Sequence, residues 1–115
     1  MPRAGQARRP GGIVNGLATV STHVLDVAAG KAAAGVRVTL GTRTLTTDSE
    51  GRIADLSGGG INPGSYRLLV EVGAYWGGTP HLFETIALEL QLSEGRHYHV
   101  PLLIAPYSCT TYRGT

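Results

Sequence analysis

With 115 residues and a formal net charge of +2, the chain is long enough for one domain with a hydrophobic core, and this mild charge gives no reason to expect a nucleic-acid partner. Its one cysteine, Cys109, excludes an internal disulfide framework and suits a reducing compartment such as the cytoplasm. No stretch approaches the ~20 apolar residues that cross a bilayer, and no apolar segment follows the N-terminal arginines, so neither a membrane protein nor a secreted one is expected.

The first segment, residues 1–16, contains turn-forming residues and positive charge but no hydrophobic periodicity. Basic clusters of this size are usually solvated. The sequence therefore predicts a disordered N-terminal extension without a function of its own, followed by one folded domain over residues 17–115.

Apolar and polar residues alternate in five later runs, which are LATVSTHVLD, GVRVTL, SYRLLVEV, TIALELQL and HYHVPLLI. In the first run Val20 and Val24 fall on one face, while Ser21 and His23 fall on the other. Turn clusters such as TDSEGR and SGGGINPGS separate the runs. This pattern predicts an all-β protein, an antiparallel β-sandwich of two sheets. The alternation breaks at GAYWGGTPHLF, so one short helical turn is expected at residues 74–77.

Three histidines fall on the polar faces of their predicted strands: His23 in the first run, and His97 and His99 in the last. One histidine in such a place is usually an ordinary surface residue. Two strands that each carry one favour a functional site, because the unperturbed pKa of histidine suits acid–base chemistry near neutral pH. We therefore expect these residues to mark a catalytic face.

A metal site is the alternative use of these histidines. A ligand pair at i and i+2 is available in HYH, and His23 could add a third ligand. No carboxylate or cysteine stands at a spacing that would complete such a site, so the sequence favours metal-free catalysis without a cofactor. Cys109 has no histidine near it in sequence and fits a packed thiol better than a nucleophile.

Arg52 follows the turn cluster and opens a predicted strand. As a flanking charge it would simply be solvated. As part of a site, its guanidinium would donate paired hydrogen bonds to an anionic or carbonyl-rich ligand. The residues alone leave both interpretations open.

Four short motifs occur in order along the chain: STHVLD at 21–26, DSEGR at 48–52, HYHVPLLIAP at 97–106 and the final TYRGT. Each is weakly specific by itself, but together, over residues 17–115, they resemble the 5-hydroxyisourate hydrolase branch of the transthyretin family. The resemblance implies a transthyretin-like sandwich assembled as a homotetramer, a dimer of dimers with its sites at subunit interfaces. It also implies hydrolysis of 5-hydroxyisourate to 2-oxo-4-hydroxy-4-carboxy-5-ureidoimidazoline in urate degradation.

The site residues of that family fall on matching positions of this sequence. The resemblance assigns catalytic roles to two histidines, an arginine and the last hydroxyl residue, which are His23, Arg52, His99 and Thr115. It assigns substrate binding to Tyr112, Arg113 and Gly114, and we expect His97 to bind substrate with them because it shares the polar face of His99. The family usually ends in YRGS, so Thr115 keeps the hydroxyl and adds a methyl group.

Two other interpretations also fit the strand pattern. A transthyretin-type carrier of thyroid-hormone-like ligands resembles the enzyme in fold but lacks the histidine and arginine set and the YRGS-type ending. A prealbumin-like spacer domain would explain the strands and turns, yet it gives His23 and His99 no role and predicts a monomer. We therefore rank the hydrolase first and the carrier second.

Overall fold

Nine strands and one short helix make up the described part of the chain, residues 16–115, in this computed structural model. The extension predicted at 1–16 lies outside the described residues, apart from its last glycine. In chain order the elements are β1 (Thr19–Asp26), β2 (Lys31–Ala32), β3 (Arg37–Leu40), β4 (Arg43–Thr46), β5 (Arg52–Ile53), β6 (Gly64–Val70), α1 (Val72–Trp76), β7 (Ile86–Leu92), β8 (His97–Ala105) and β9 (Ser108–Thr111).

The strands form the two sheets of a sandwich. The first sheet has the order β2-β1-β8-β9, with β5 paired to β1 beside β2, and the second has the order β4-β3-β6-β7. The all-β, two-sheet prediction is therefore confirmed, with one correction to its antiparallel character: β1 and β8 run parallel. Parallel neighbours need a crossover connection, and the second sheet, which lies between β1 and β8 in the sequence, supplies it.

The alternation read from the sequence sets the inner face of the sandwich. In β1 the exposure alternates residue by residue, with Val20 and Val24 at 0% and the residues between them partly exposed, except for buried Thr22. The Thr22 hydroxyl donates to the Val100 carbonyl at 2.6 Å, so this buried polar group is satisfied. The largest fully buried side chains of the core include Leu56, Leu68, Leu92, Leu102 and Ile104.

The short helix is present, but it starts earlier than the predicted turn at 74–77. It begins at Val72, a residue that is buried in the helix and that strand alternation would also bury. It ends at Trp76, and Gly77 follows with φ +58°. The Tyr75 hydroxyl donates to Asp26 Oδ2 at 2.8 Å and so ties the helix to β1. Nothing helical in residues 16–115 is long and apolar enough to span a bilayer.

A tight turn at 48–52 leads into β5. One carboxylate oxygen, Asp48 Oδ1, accepts hydrogen bonds from the backbone N–H groups of Glu50 and Arg52, both at 2.9 Å. Gly51 has φ +75°, and its carbonyl accepts the Val24 N–H at 2.7 Å. A Cβ at Gly51 would lie 2.4 Å from the Val24 carbonyl oxygen, so only glycine lets this turn approach β1 closely enough to pair Arg52 with it.

Replacing Gly51 by alanine should therefore destabilise the fold through strain and a backbone clash together. We expect Gly51→Ala to lower the free energy of unfolding by clearly more than the roughly 1–2 kcal/mol of a left-handed backbone alone. Gly30→Ala is the matched control, because Gly30 has φ +69° with nothing within 4 Å of its Cβ position. Urea unfolding of both variants measures the difference, and equal losses would contradict the close approach.

Candidate active site

The register of the first sheet brings the predicted histidines together on its outer face. In the parallel β1–β8 pair, Thr19 lies opposite His97 and Ser21 lies opposite His99. On the other side of β1, Arg52 of β5 lies opposite His23. Because alternate residues of a strand share a face, these side chains project from the sheet on the side away from the core. The sequence placed its three histidines on this polar face, and the structure agrees.

An open cleft of about 490 Å³ lies on this face. Its walls come from β1, β5, β8, the turn before β5 and the end of the sequence. The lining residues are Ser21, Thr22, Asp48, Arg52, Ile53, Ala54, His97, His99 and Thr115. Residues from all four sequence motifs therefore meet at one place.

His99 is anchored in the cleft by one ring nitrogen, while the other is unbonded within residues 16–115. Its Nδ1 atom is 2.8 Å from the Ser21 hydroxyl, which fixes the ring on the sheet. Burial lowers the pKa of His99, and the positive charges of His23, His97 and Arg52 lower it further. Its Nε2 atom has no hydrogen-bond partner among the described residues. The ring is therefore a neutral imidazole near pH 7 with one nitrogen free for a ligand or a water.

His23 lies beside the cleft, between β5 and His99. Its Nε2–H donates to the Glu50 carbonyl at 3.0 Å, which leaves Nδ1 as the acceptor when the ring is neutral. The same turn that holds Arg52 thus also fixes the tautomer of His23. Since His23 and Arg52 both influence the pKa of His99, the three side chains form one electrostatic group.

Two lining residues, Asp48 and Ser21, had no role in the sequence-based site. The backbone N–H groups of Arg52 and Glu50 hold the pKa of Asp48 below its ordinary range, so the cleft contains a carboxylate beside Arg52. Ser21 contacts His97 as well as His99. Ser21 could have been noticed from its position two residues before His23 on the same face, and Asp48 from its place in DSEGR.

Two hydrogen bonds to backbone carbonyls of β8 hold the last residues at the cleft. The Thr111 hydroxyl donates to the Pro101 carbonyl at 2.9 Å, and the Gly114 N–H donates to the His99 carbonyl at 2.8 Å. A Cβ at Gly114 would lie 2.7 Å from His99 Cδ2, so a glycine is needed where the chain passes over the imidazole. This contact brings Thr115 to the edge of the cleft.

The side chains of Tyr112 and Arg113 are not brought into this cleft. They line a separate cavity of about 600 Å³ between β7 and the β8–β9 pair. The Arg113 guanidinium carbon lies 4.8 Å from the centre of the Tyr98 ring, a cation–π contact. Within one chain, the cleft therefore unites Arg52, His97, His99 and Thr115, with His23 and Gly114 at its margin.

Within residues 16–115, neither a reactive thiol nor a metal site accompanies the histidines. Burial raises the pKa of Cys109 on β9, so its thiol is a poor nucleophile. Among residues 16–115, no group of three or more His, Cys, Asp or Glu side chains is arranged to hold a metal ion.

Comparisons with known proteins show the family to which this fold belongs. The chain is 36% identical to a 5-hydroxyisourate hydrolase of Mesorhizobium japonicum over 113 residues, covering 84% of this chain and 91% of that protein. The structure of a Klebsiella pneumoniae 5-hydroxyisourate hydrolase superposes with a TM-score of 0.79 at 36% identity, covering 85% of this chain and 94% of the other.

A second structural neighbour is sea bream transthyretin in complex with thyroxine. Its TM-score is 0.76 at 27% identity, and it covers 84% of this chain and 94% of that one. The sequence profile of the HIUase/Transthyretin family matches residues 20–114. The chain therefore belongs to the HIUase/transthyretin family.

Proposed function

We propose that this protein hydrolyses 5-hydroxyisourate to 2-oxo-4-hydroxy-4-carboxy-5-ureidoimidazoline in urate degradation. One observation carries the proposal: a neutral histidine, His99, lies with Arg52 and Thr115 in one cleft on the outer face of the first sheet. The names of the Mesorhizobium japonicum and Klebsiella pneumoniae relatives support the substrate.

The free Nε2 atom of His99 suits it to take a proton from water. The water oxygen bonds to a ring carbonyl carbon of the substrate, the carbon–nitrogen bond of the ring breaks, and the nitrogen takes a proton as it leaves. The resulting carboxylic acid ionises in solvent. His23, with its tautomer fixed by the Glu50 carbonyl, orients the water or the substrate beside it. General acid–base assistance of this kind is worth roughly 10²–10⁴ in rate.

Arg52 supplies the positive charge for this reaction. Its backbone is held by Asp48, so the side chain starts from a fixed position at the cleft wall. A guanidinium there can bind the carbonyl oxygens of the substrate and stabilise the oxyanion that forms at the attacked carbon. The Thr115 hydroxyl completes the polar wall, and its extra methyl group relative to serine leaves this hydrogen-bonding capacity intact.

The substrate-binding residues divide into two groups in the proposal. His97 lines the cleft, and Gly114 borders it where the backbone passes over the His99 ring. Tyr112 and Arg113 hold the final segment in place, since the stacking of Arg113 on Tyr98 contributes about 0.5–1 kcal/mol at an exposed site.

We further propose that the active form is a homotetramer, a dimer of dimers, in the cytoplasm. The cleft of one chain is open, and a second subunit facing it would close the site and exclude water. The free Cys109 suits a reducing compartment. A monomer in gel filtration of the active protein would contradict the assembly.

The alternative function is that of a carrier for a small hydrophobic ligand. The fold does not separate the two, because the sea bream transthyretin and the bacterial hydrolase superpose almost equally well. The cleft favours hydrolysis, because a neutral imidazole beside an arginine is not needed to bind a hydrophobic ligand. We therefore retain hydrolysis as the conclusion.

Freshly generated 5-hydroxyisourate should lose its absorbance faster with the protein than without it. His99→Asn and His23→Asn should each remove most of that acceleration, on the order of 10²–10⁴-fold, because acid–base assistance is lost. His81→Asn is the matched control, since His81 bonds to Glu84 away from the cleft. An inactive wild type would overturn the function, and two fully active variants would overturn the site.

Gly114→Ala should reduce hydrolysis while leaving the fold intact. Its Cβ would displace the His99 ring, which lies 2.7 Å away, whereas most of the core is distant from this contact. We expect a loss of roughly 10²-fold, the scale of a misplaced catalytic group. Gly78→Ala is the control, because nothing lies within 4 Å of its Cβ position. Equal activity of the two variants would remove the final segment from the site.

The acid limb of kcat/KM should lie below the ordinary histidine value of 6.5, because the pKa of His99 is lowered. The base must be neutral, and a lowered pKa keeps it neutral to lower pH, so the midpoint of the decline in activity should lie below pH 6.5. Rates between about pH 5 and pH 8, corrected for spontaneous decay, measure this limb. An acid limb with its midpoint above pH 6.5 would contradict the assignment of His99 as base.

A further inference from the structure

Ser21 has no part in the reaction as described, yet it joins the two histidines of β8. Its hydroxyl oxygen is 2.8 Å from His97 Nε2 and 2.8 Å from His99 Nδ1. At the far side of His97, Nδ1 is 2.7 Å from the Thr19 hydroxyl. The four side chains form a continuous hydrogen-bonded chain in the order His99, Ser21, His97 and Thr19, which runs from the cleft to the exposed end of β8.

The hydrogen bonds of this chain must all run in one direction, because the Ser21 hydroxyl carries only one proton. If Ser21 donates to His97 Nε2, it accepts from His99 Nδ1–H, and the free Nε2 atom of His99 then carries a lone pair. If Ser21 donates to His99 Nδ1, it accepts from His97 Nε2–H, and the free nitrogen of a neutral His99 carries a proton. The first arrangement makes His99 a base toward the cleft, and the second makes it an acid.

We propose that Ser21 and His97 form a proton relay with His99. The relay moves to His97 the positive charge that His99 gains when it takes a proton from water, and returns it when the ring nitrogen leaves. When His99 Nε2 takes a proton from water, Nδ1 passes its proton to Ser21, and Ser21 passes its own to His97. His99 is then neutral with a proton on Nε2. When that proton goes to the departing ring nitrogen, the relay runs backwards and restores the starting state. The protein neither gains nor loses a proton over this cycle. The relay rests on the proposed function.

The surrounding charges favour moving the proton away from His99. His99 is half-buried and faces His23 and Arg52 from the neighbouring strands, with the carboxylate of Asp48 also in the cleft. His97 is exposed at the start of β8, and the Thr19 hydroxyl, 2.7 Å from its Nδ1 atom, accepts from Nδ1–H when His97 is protonated. Within one chain, a positive charge on His97 is therefore better solvated than one on His99. In this scheme Ser21 is a positioning residue, because it acts through His99.

Ser21→Ala tests the relay. We expect kcat to fall roughly 10-fold or more, but by less than the 10²–10⁴-fold expected when the base is lost, with KM nearly unchanged. The acid limb of kcat should move to lower pH, because protonated His99 loses the hydroxyl that accepts from it. Ser21→Thr keeps the hydroxyl and should restore kcat. Ser65→Ala is the matched control, since Ser65 also bonds across an exposed sheet face, to Gln91 at 2.7 Å.

The double variant separates a relay from two independent contributions. His97→Asn should lower kcat as much as Ser21→Ala, and combining the two should cost no more than either alone, because both break the same chain. If the fold-losses in kcat of the two single variants multiply in the double variant, the relay is overturned. Full activity of Ser21→Ala would overturn it as well.

Imidazole ¹⁵N NMR of the unliganded protein gives a readout that does not depend on turnover. Ser21→Ala should change the protonation of His99 Nδ1 and His97 Nε2, whereas Ser65→Ala should change neither. Unchanged ring nitrogens in Ser21→Ala would overturn the relay even if the wild type is an active hydrolase. A wild type with the coupled ring nitrogens but no hydrolase activity would overturn the proposed function instead.

Discussion

The parallel pairing of β1 with β8 is the constraint on which the site depends. It sets Ser21 opposite His99 and Thr19 opposite His97, and it leaves the other edge of β1 free to pair with Arg52. A slip of one residue in this register would send the histidines to the opposite face of the sheet. Such a slip is opposed by Val20 and Val24, which are fully buried on the inner face. The hydrophobic core thus fixes the geometry of polar groups that never touch it.

Contacts to the backbone bring the other walls of the cleft to this sheet. The turn at 48–52 is held by the Asp48 carboxylate and by the close approach of Gly51 to Val24. The last residues are held by the bond from Gly114 to the His99 carbonyl. In both places a glycine allows a contact that any other residue would obstruct. The cleft is consequently preorganised, which is how enzymes make electrostatic groups effective.

Local pattern predicted the parts of this structure that depend on period-two alternation. The polar-face position of His23 and His99 followed from their strand neighbours, and the resemblance supplied Arg52 and Thr115. The direction of β8 was missed, because alternation looks the same in parallel and antiparallel strands. The start of the helix was missed because Val72 is buried under either periodicity.

The other differences between prediction and structure concern side chains whose positions are set by residues far away in the sequence. The bridging position of Ser21 follows only from the β1–β8 register, which no local signal specifies. The side chains of Tyr112 and Arg113 lie beyond the end of β9, so strand alternation no longer dictates the side on which they project. Their position depends instead on the contact between Arg113 and Tyr98.

The register of β1 and β8 also has a consequence for how the protein acquires its activity. Thr19 and His97 are 78 positions apart in the chain, so this pairing closes a very long loop. Contacts of such sequence separation form slowly, because the entropy of loop closure opposes them until both sheets are in place. A nascent or partly refolded chain can bury much of its core before its histidines meet the first strand. Catalytic competence should therefore lag behind collapse during refolding, which makes activity a stringent reporter of the native topology.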